Sequence, residues 1–180
     1  MRSKYTALQI SLHWLVFILV VVAYCAMELR GFAPRSYRPL INSLHFFCGI
    51  SVLILMVARL LVRIVYRAPP IVPKPHPAMI GLSHLAHTLI YLLFICLPLL
   101  GFISLYYRGS EWQVFGISMP FRAEPDEDFE YTLKSWHELL ANTGYFLVAI
   151  HAAGALFHHY FIKDNTLRRM MPGKDKRNSR

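Results

Sequence analysis

Four long apolar runs, at about residues 8–29, 41–64, 82–106 and 136–162, alternate with polar connections along the chain. Each is long enough for the roughly 20 residues a helix needs to cross a bilayer core, so the pattern predicts four transmembrane helices of alternating direction. They use most of the sequence. Residues 1–180 are therefore expected to form a single all-α domain, an integral membrane four-helix bundle, with no separate soluble domain, repeat or low-complexity segment. Pro98 falls inside the third run, where it should bend the helix and free carbonyls that neighbours must satisfy. Arg2 and Lys4 before the first run resemble the start of a signal peptide, but His13 and Trp14 interrupt that run and no small-x-small cleavage site follows. A retained helix is expected.

Composition supports a lipid environment: 56% of residues are hydrophobic and 16% charged, too few charges to cover a soluble domain. The net charge of +9 changes the picture only through its distribution. Arg2, Lys4, Arg63, Arg67, Lys74, Lys163, Arg168, Arg169, Lys174, Lys176, Arg177 and Arg180 fall on one side of an alternating bundle, whereas Glu111, Glu124, Asp126, Glu127, Asp128 and Glu130 fall on the other. The positive-inside rule then places both termini in the cytoplasm of a bacterial inner-membrane protein. The basic tail lacks interleaved aromatics, so it is expected to meet anionic membrane lipid and no nucleic acid. Cys25, Cys48 and Cys96 lie inside apolar runs without CxxC or CxxCH spacing and are expected to be packing residues.

Nine histidines are what so apolar a chain must explain, because ionisable groups within a bilayer are costly and face the interior or a cofactor. His13 lies near the cytoplasmic end of the first run and His45 near the periplasmic end of the second. The fourth run carries two. His137 enters at the periplasmic end and His151 follows 14 positions later, about 21 Å down the helix axis and only about 40° around it. One helix thus presents two imidazoles on one face at two depths, each matched by a histidine of another helix: His13 with His151, and His45 with His137. Interhelical hydrogen bonding accounts for any one of these alone, and a zinc or copper site would need three or four ligands at one point. Two separated pairs suit two stacked b-type haems, each iron held by two imidazoles. Gly49, Ala141, Gly154 and Ala155, three or four positions beyond the proposed ligands, leave room for a porphyrin face. Arg59 shares the face of His45 at the depth of the inner pair; it can neutralise a haem propionate or snorkel to the cytoplasmic headgroups.

The segments LQISLHWLVF around His13, RPLINSLHFFCGIS around His45, LKSWHELLANTGY around His137 and HAAGALFHHYFIKDNTLRRMMP from His151 closely resemble the bacterial cytochrome b561 family, and within it the members that oxidise superoxide. The resemblance covers essentially the whole chain. It implies a superoxide:ubiquinone oxidoreductase: a di-haem four-helix bundle that takes electrons from periplasmic superoxide, releases dioxygen, and passes the electrons to ubiquinone, with no protein partner required. It carries haem ligation onto His13, His45, His137 and His151, and a quinone site onto Lys74, His87 and His158. The residues' own placement is compatible with donation to quinone carbonyls and proton supply there, although Lys74 also reads as a positive-inside charge and His87 as a helix-end histidine. His84, on the face of His87, is a candidate proton relay or cap, His159 should meet headgroups, and His76 is assigned no role.

Irons with two histidine ligands have no open position, so outer-sphere electron transfer is expected. Arg30, Arg35 and Arg38 are candidates for attracting an anion, against the opposing run Asp126 to Glu130. Two alternatives carry the same residues: a membrane cytochrome subunit relaying electrons from a soluble dehydrogenase or hydrogenase partner to quinone, and a haem-free transporter with proton-relay histidines.

Overall fold

The computed structural model describes residues 3–173. Arg2, Lys174, Lys176, Arg177 and Arg180, all assigned above to the cytoplasmic charge excess, lie outside the described residues. Among the described residues four helices are long and apolar enough to cross a membrane: α1 (Ala7–Arg30), α2 (Arg38–Val65), α3 (Pro77–Tyr107) and α4 (Glu127–Phe157), the last continuing as a π-helical turn, His158–Ile162, before a short α5 (Thr166–Met170).

Local chemistry sets the ends. Thr6 and Gln9 form a capping box at the start of α1, each satisfying a backbone donor that the first turn leaves free. Pro77 occupies the first turn of α3, and His76, left without a role above, caps that helix by accepting from the Ala78 amide at 3.3 Å. At α4 the acidic run is structural. Asp126 accepts from the Phe129 amide at 3.1 Å, and Glu127, Asp128 and Glu130 occupy the first turn, where negative charge complements the helix dipole. For that reason α4 begins at Glu127, well before the apolar run starting near residue 136.

One element departs from the all-helical expectation. Between α3 and α4, β1 (Gln113–Val114) pairs antiparallel with β2 (Ile117–Ser118). Phe115 and Gly116 at its tip both have positive φ, 55° and 73°, as the tight primed turns of two-residue hairpins require. Phe115 packs on Phe47 of α2, and the buried Trp112 sits against Phe46 and Phe102, so the hairpin covers one end of the bundle.

Helix α1 packs on α2, α2 on α3, and α3 on α4. The remaining side is bridged by side chains: the Tyr24 hydroxyl donates to the Ala141 carbonyl at 2.8 Å, and the Tyr145 hydroxyl to Glu28 at 2.8 Å. Gly144 is needed at this crossing, because a Cβ there would collide with the Tyr24 hydroxyl oxygen. A dry layer of Val16, Val20, Val52, Met56, Leu93, Phe94 and Leu97 fills the middle of the bundle. Outward, Ile18, Ile54, Leu92 and Phe146 are more than half exposed, as lipid-facing positions are. Of the cysteines, Cys48 is buried but Cys25 and Cys96 are exposed; the expectation that all three are packing residues is corrected for those two, which lie on the outward faces of α1 and α3.

At the end opposite the hairpin the segment around Tyr5 meets that around Arg169. The Tyr5 amide donates to the Arg169 carbonyl at 3.2 Å, the Trp14 indole to the Met170 carbonyl at 2.9 Å, and Arg169 to the Pro69 carbonyl. The segment after α4 is thereby bound to α1 and to the α2–α3 connection.

Candidate functional site

The bundle brings four of the singled-out histidines together as two pairs. Near the hairpin end, the rings of His45 on α2 and His137 on α4 have centres 6.1 Å apart at 77°. Near the terminal end, His13 on α1 and His151 on α4 have centres 6.3 Å apart at 65°. Two imidazoles bonded axially to one metal ion at about 2.0 to 2.1 Å, each ring centre about 1.1 Å beyond its nitrogen, would place the centres about 6.2 to 6.4 Å apart. The His13–His151 pair falls within that range, and the His45–His137 pair lies about 0.1 Å below it.

Hydrogen bonding orients the hairpin-end pair. His45 Nδ1 lies 3.0 Å from the Ala23 carbonyl and His137 Nδ1 2.8 Å from the Leu97 carbonyl, beside Pro98. A carbonyl only accepts, so each ring carries its proton on Nδ1 and keeps a bare Nε2, the form an imidazole needs to bind a metal. Gly101 gives His137 its place: a Cβ there would meet the ring's Cε1 and Nδ1 at 3.3 Å. This pair lines a cavity of about 640 Å³ together with Gly49 and Ala141, a volume in the range of cofactor pockets. A Cβ on Gly49 would meet nothing within 4 Å, so the space next to this glycine, one turn from His45, is open.

The terminal-end pair is more crowded. Arg59 Nη2 lies 3.1 Å from His13 Nδ1, and a guanidinium only donates, so the proton of a neutral His13 sits on Nε2. Metal binding through Nε2 requires Arg59 to let go, after which its guanidinium stands beside the pair, free to meet a carboxylate. His87 on α3 packs against His151 at 5.4 Å, and its Nδ1 is bound to the Ser83 carbonyl at 2.6 Å. Gly154 has open space around its missing Cβ.

The three residues assigned to a quinone site share the terminal end but not one contact. His87 faces His151. His158 begins the π-helical turn and is held by Asp164, its Nδ1 2.5 Å from Oδ2. Lys74 is exposed in a connection whose Val72 exchanges two hydrogen bonds with Asn165. Asp164, buried to 3% exposure, was not singled out by the sequence; the cue available is an acid directly following Lys163 within an otherwise basic segment. Burial works to raise its pKa, but hydrogen bonds from His158 and the Thr166 amide outweigh that and hold it below the usual carboxylate value.

Among the other candidates, Arg30 lines the hairpin-end cavity and Arg35 and Arg38 do not; Arg108 and Lys134 join Arg30 there, facing Glu28, Glu130 and Glu138. His84 is exposed, and His159 lies edge-on to Tyr160 at 4.8 Å.

A family profile described as prokaryotic cytochrome b561 matches residues 4–173. A protein of Yersinia pestis named probable superoxide oxidase CybB is 54% identical over 174 residues, covering 97% of this chain and 99% of that one. Cytochrome b561 homolog 1 of Escherichia coli is 41% identical over 172 residues, covering 94% and 98%, and cytochrome b562 of Cereibacter sphaeroides is 32% identical over 174 residues, covering 93% and 94%. With the paired histidines inside a membrane-spanning bundle, these likenesses establish that the chain belongs to the prokaryotic cytochrome b561 family, a membrane oxidoreductase family that carries haem b.

Proposed function

We propose that this protein oxidises superoxide at a periplasmic face and reduces ubiquinone near the cytoplasmic face of the bacterial inner membrane, with two b-type haems between. The observation that carries this reading is the pair of ring separations, 6.1 and 6.3 Å, at two levels of one helix. His45 with His137 would hold the outer haem, and His13 with His151 the inner one, in a single 180-residue domain. Haem b held by two imidazoles supplies one-electron transfer without an open coordination site.

The chain's own residues supply the rest. Ala23 and Leu97 lock the outer imidazoles in the metal-binding tautomer. Arg59, released from His13, would neutralise a propionate of the inner haem. Arg30 and Arg108, which line the outer cavity, are the candidates for meeting a small anion there, against Glu28, Glu130 and Glu138 in the same lining. Lys74, His87 and His158, at the basic end, would bind the quinone headgroup and provide its protons. Two superoxide ions give two electrons and leave as two dioxygen molecules; one ubiquinone takes those electrons with two protons and becomes ubiquinol. The basic residues gathered at the terminal end support a cytoplasmic position for both termini. The superoxide reading draws on the name of the Yersinia pestis relative and on the resemblance of the ligand segments.

The test is to supply superoxide to the purified protein alone and follow ubiquinol formation alongside haem content. Two haems per chain and quinol formation without any other polypeptide are expected. Quinol formation only after a soluble dehydrogenase is added would overturn the superoxide reading in favour of a relay subunit.

A further inference from the structure

The turn that ends α4 is built around a carboxylate. Five residues, His158–Ile162, leave the α-helical register as a π-helix, a feature often found at functional sites. Lys163 then turns left-handed at φ 58°, and the chain folds back so that the Asp164 amide donates to the His158 carbonyl at 3.2 Å. The Asp164 side chain, fully buried, takes the His158 ring at 2.5 Å on Oδ2 and the Thr166 amide at 2.8 Å on Oδ1. The next residue, Asn165, holds the Val72 amide at 2.9 Å through its side chain and gives its own amide to the Val72 carbonyl at 3.2 Å. Asp164 and Asn165 therefore join His158 to the connection that carries Lys74.

We propose, resting on the quinone site described above, that Asp164 is a positioning residue for quinone reduction: it holds the His158 proton on Nδ1 so that Nε2 is the atom that loads and delivers a proton. A carboxylate accepts from Nδ1–H whether the ring is neutral or protonated, so the bond persists through a cycle. Cytoplasmic water protonates Nε2. As the quinone oxygen receives its electron, its O–H bond forms while Nε2–H breaks, and the ring returns to the neutral Nδ1–H form still bound to Asp164. Among the described residues, Arg169 from α5 stands close enough to interact with the Asp164 charge, with Tyr5 of the N-terminal segment beneath its guanidinium at 5.5 Å. The α2–α3 connection presents the Pro69 carbonyl to Arg169.

Asp164→Asn separates this role from a merely structural one. The amide has nearly the shape of the carboxylate. Its oxygen can keep the Thr166 amide, but its N–H₂ must then donate to His158 Nδ1, moving the ring proton to Nε2. The measurements are made on haem-loaded protein. Expected is a fall of about 100-fold in kcat for ubiquinol formation, with KM for ubiquinone within about twofold of the parent and haem reduction by superoxide unchanged. ¹⁵N spectra of histidine-labelled protein should show the His158 proton on Nδ1 in the parent and on Nε2 in the variant. Asp164→Glu, which keeps a carboxylate acceptor, should recover most of the lost kcat. Parental kcat in Asp164→Asn, or a parental His158 protonated on Nε2, overturns the inference; the spectrum of the parent decides it even if a variant does not assemble. His158→Ala distinguishes the levels. If it slows quinol formation while Asp164→Asn does not, only the role of Asp164 falls; if it leaves quinol formation unchanged, the quinone site itself falls.

Discussion

Gly101 offers a graded test of where His137 sits. A Cβ there would approach Cε1 and Nδ1 of the ring at 3.3 Å, so alanine asks the ring to give by a few tenths of an ångström. The ring has that slack, since its bond to Leu97 is 2.8 Å and N–H···O bonds persist to about 3.2 Å. Alanine also gains about 1 kcal/mol in helix propensity over glycine, which offsets the crowding. Gly101→Ala should therefore bind haem like the parent. Leucine cannot be absorbed in this way. Overpacking costs about 1 to 3 kcal/mol, and the displaced ring loses a hydrogen bond worth about 1 kcal/mol. The sum, about 2 to 4 kcal/mol, corresponds to roughly 30- to 1,000-fold weaker binding at the outer site alone. The assay is the haem-to-protein ratio of purified variants under limiting haem. Gly101→Leu should hold about half the parental haem, and adding His151→Ala should remove the remainder. A Gly101→Leu protein with its full complement of haem, or a Gly101→Ala protein as depleted as the leucine variant, would refute the placement of His137 against this glycine.

Other outcomes follow from the same geometry. His137→Ala should lose the outer haem and largely spare the inner one, and His151→Ala the reverse; retention of both in either variant, read from the pigment spectrum, defeats the pairing. Lys74→Met should slow ubiquinol formation about tenfold or more yet leave haem reduction by superoxide intact, and unchanged turnover would remove Lys74 from the site. Asp164 should make the docking of residues 163–173 depend on pH. Its folded pKa is lowered, so its stabilisation is fully present above the unfolded value of about 3.9 and is lost as pH falls through the folded one. Hydrogen exchange in that segment should rise on acidification, and the same acid response in Asp164→Asn would count against the assignment.

How much of this was legible in the sequence depends on what each feature needs. His137 and His151 could be placed on one face from helix periodicity alone, and imidazoles in an apolar run stand out because burying them is costly. Their partners required only the relative depth of neighbouring helices, which the lengths of the apolar runs supply. The contact between His87 and His151 was not legible, because the rotation of α3 against α4 is set by packing that no periodicity encodes. Gly101 carries no chemistry and is visible only through the ring beside it. The hairpin at 113–118 is too short to show alternation. Asp164 lies beyond the last apolar run, where the chain reads as a basic tail, and the turn that folds it back onto His158 depends on the π-helical segment and a left-handed Lys163. The early start of α4 was hidden for a simpler reason: its first turns are polar, so hydropathy assigned them to the preceding connection.

The distribution of protic groups along the bundle bears on how charge would cross it. Between the two histidine pairs, the buried layer from Val16 to Leu97 consists of aliphatic, thioether and phenyl side chains, with Tyr24 and Tyr91 packed at its margin. The residues of the layer itself carry no ionisable group. The outer imidazoles give their Nδ1 protons to backbone carbonyls that cannot pass them on. At the opposite end, by contrast, His87, His158 and Lys74 carry exchangeable N–H protons, and the Asp164 carboxylate accepts from His158. On the proposed reading of two haems, a bundle arranged in this way would let electrons tunnel between them while denying protons a chain of donors and acceptors through the same layer. On the proposed reading, the electrons would come from one side of the membrane and the protons that neutralise the reduced quinone from the other, so each electron transferred moves charge against or with the membrane potential, at about 2.3 kcal/mol per 100 mV. The dry core is therefore part of the chemistry as well as of the fold.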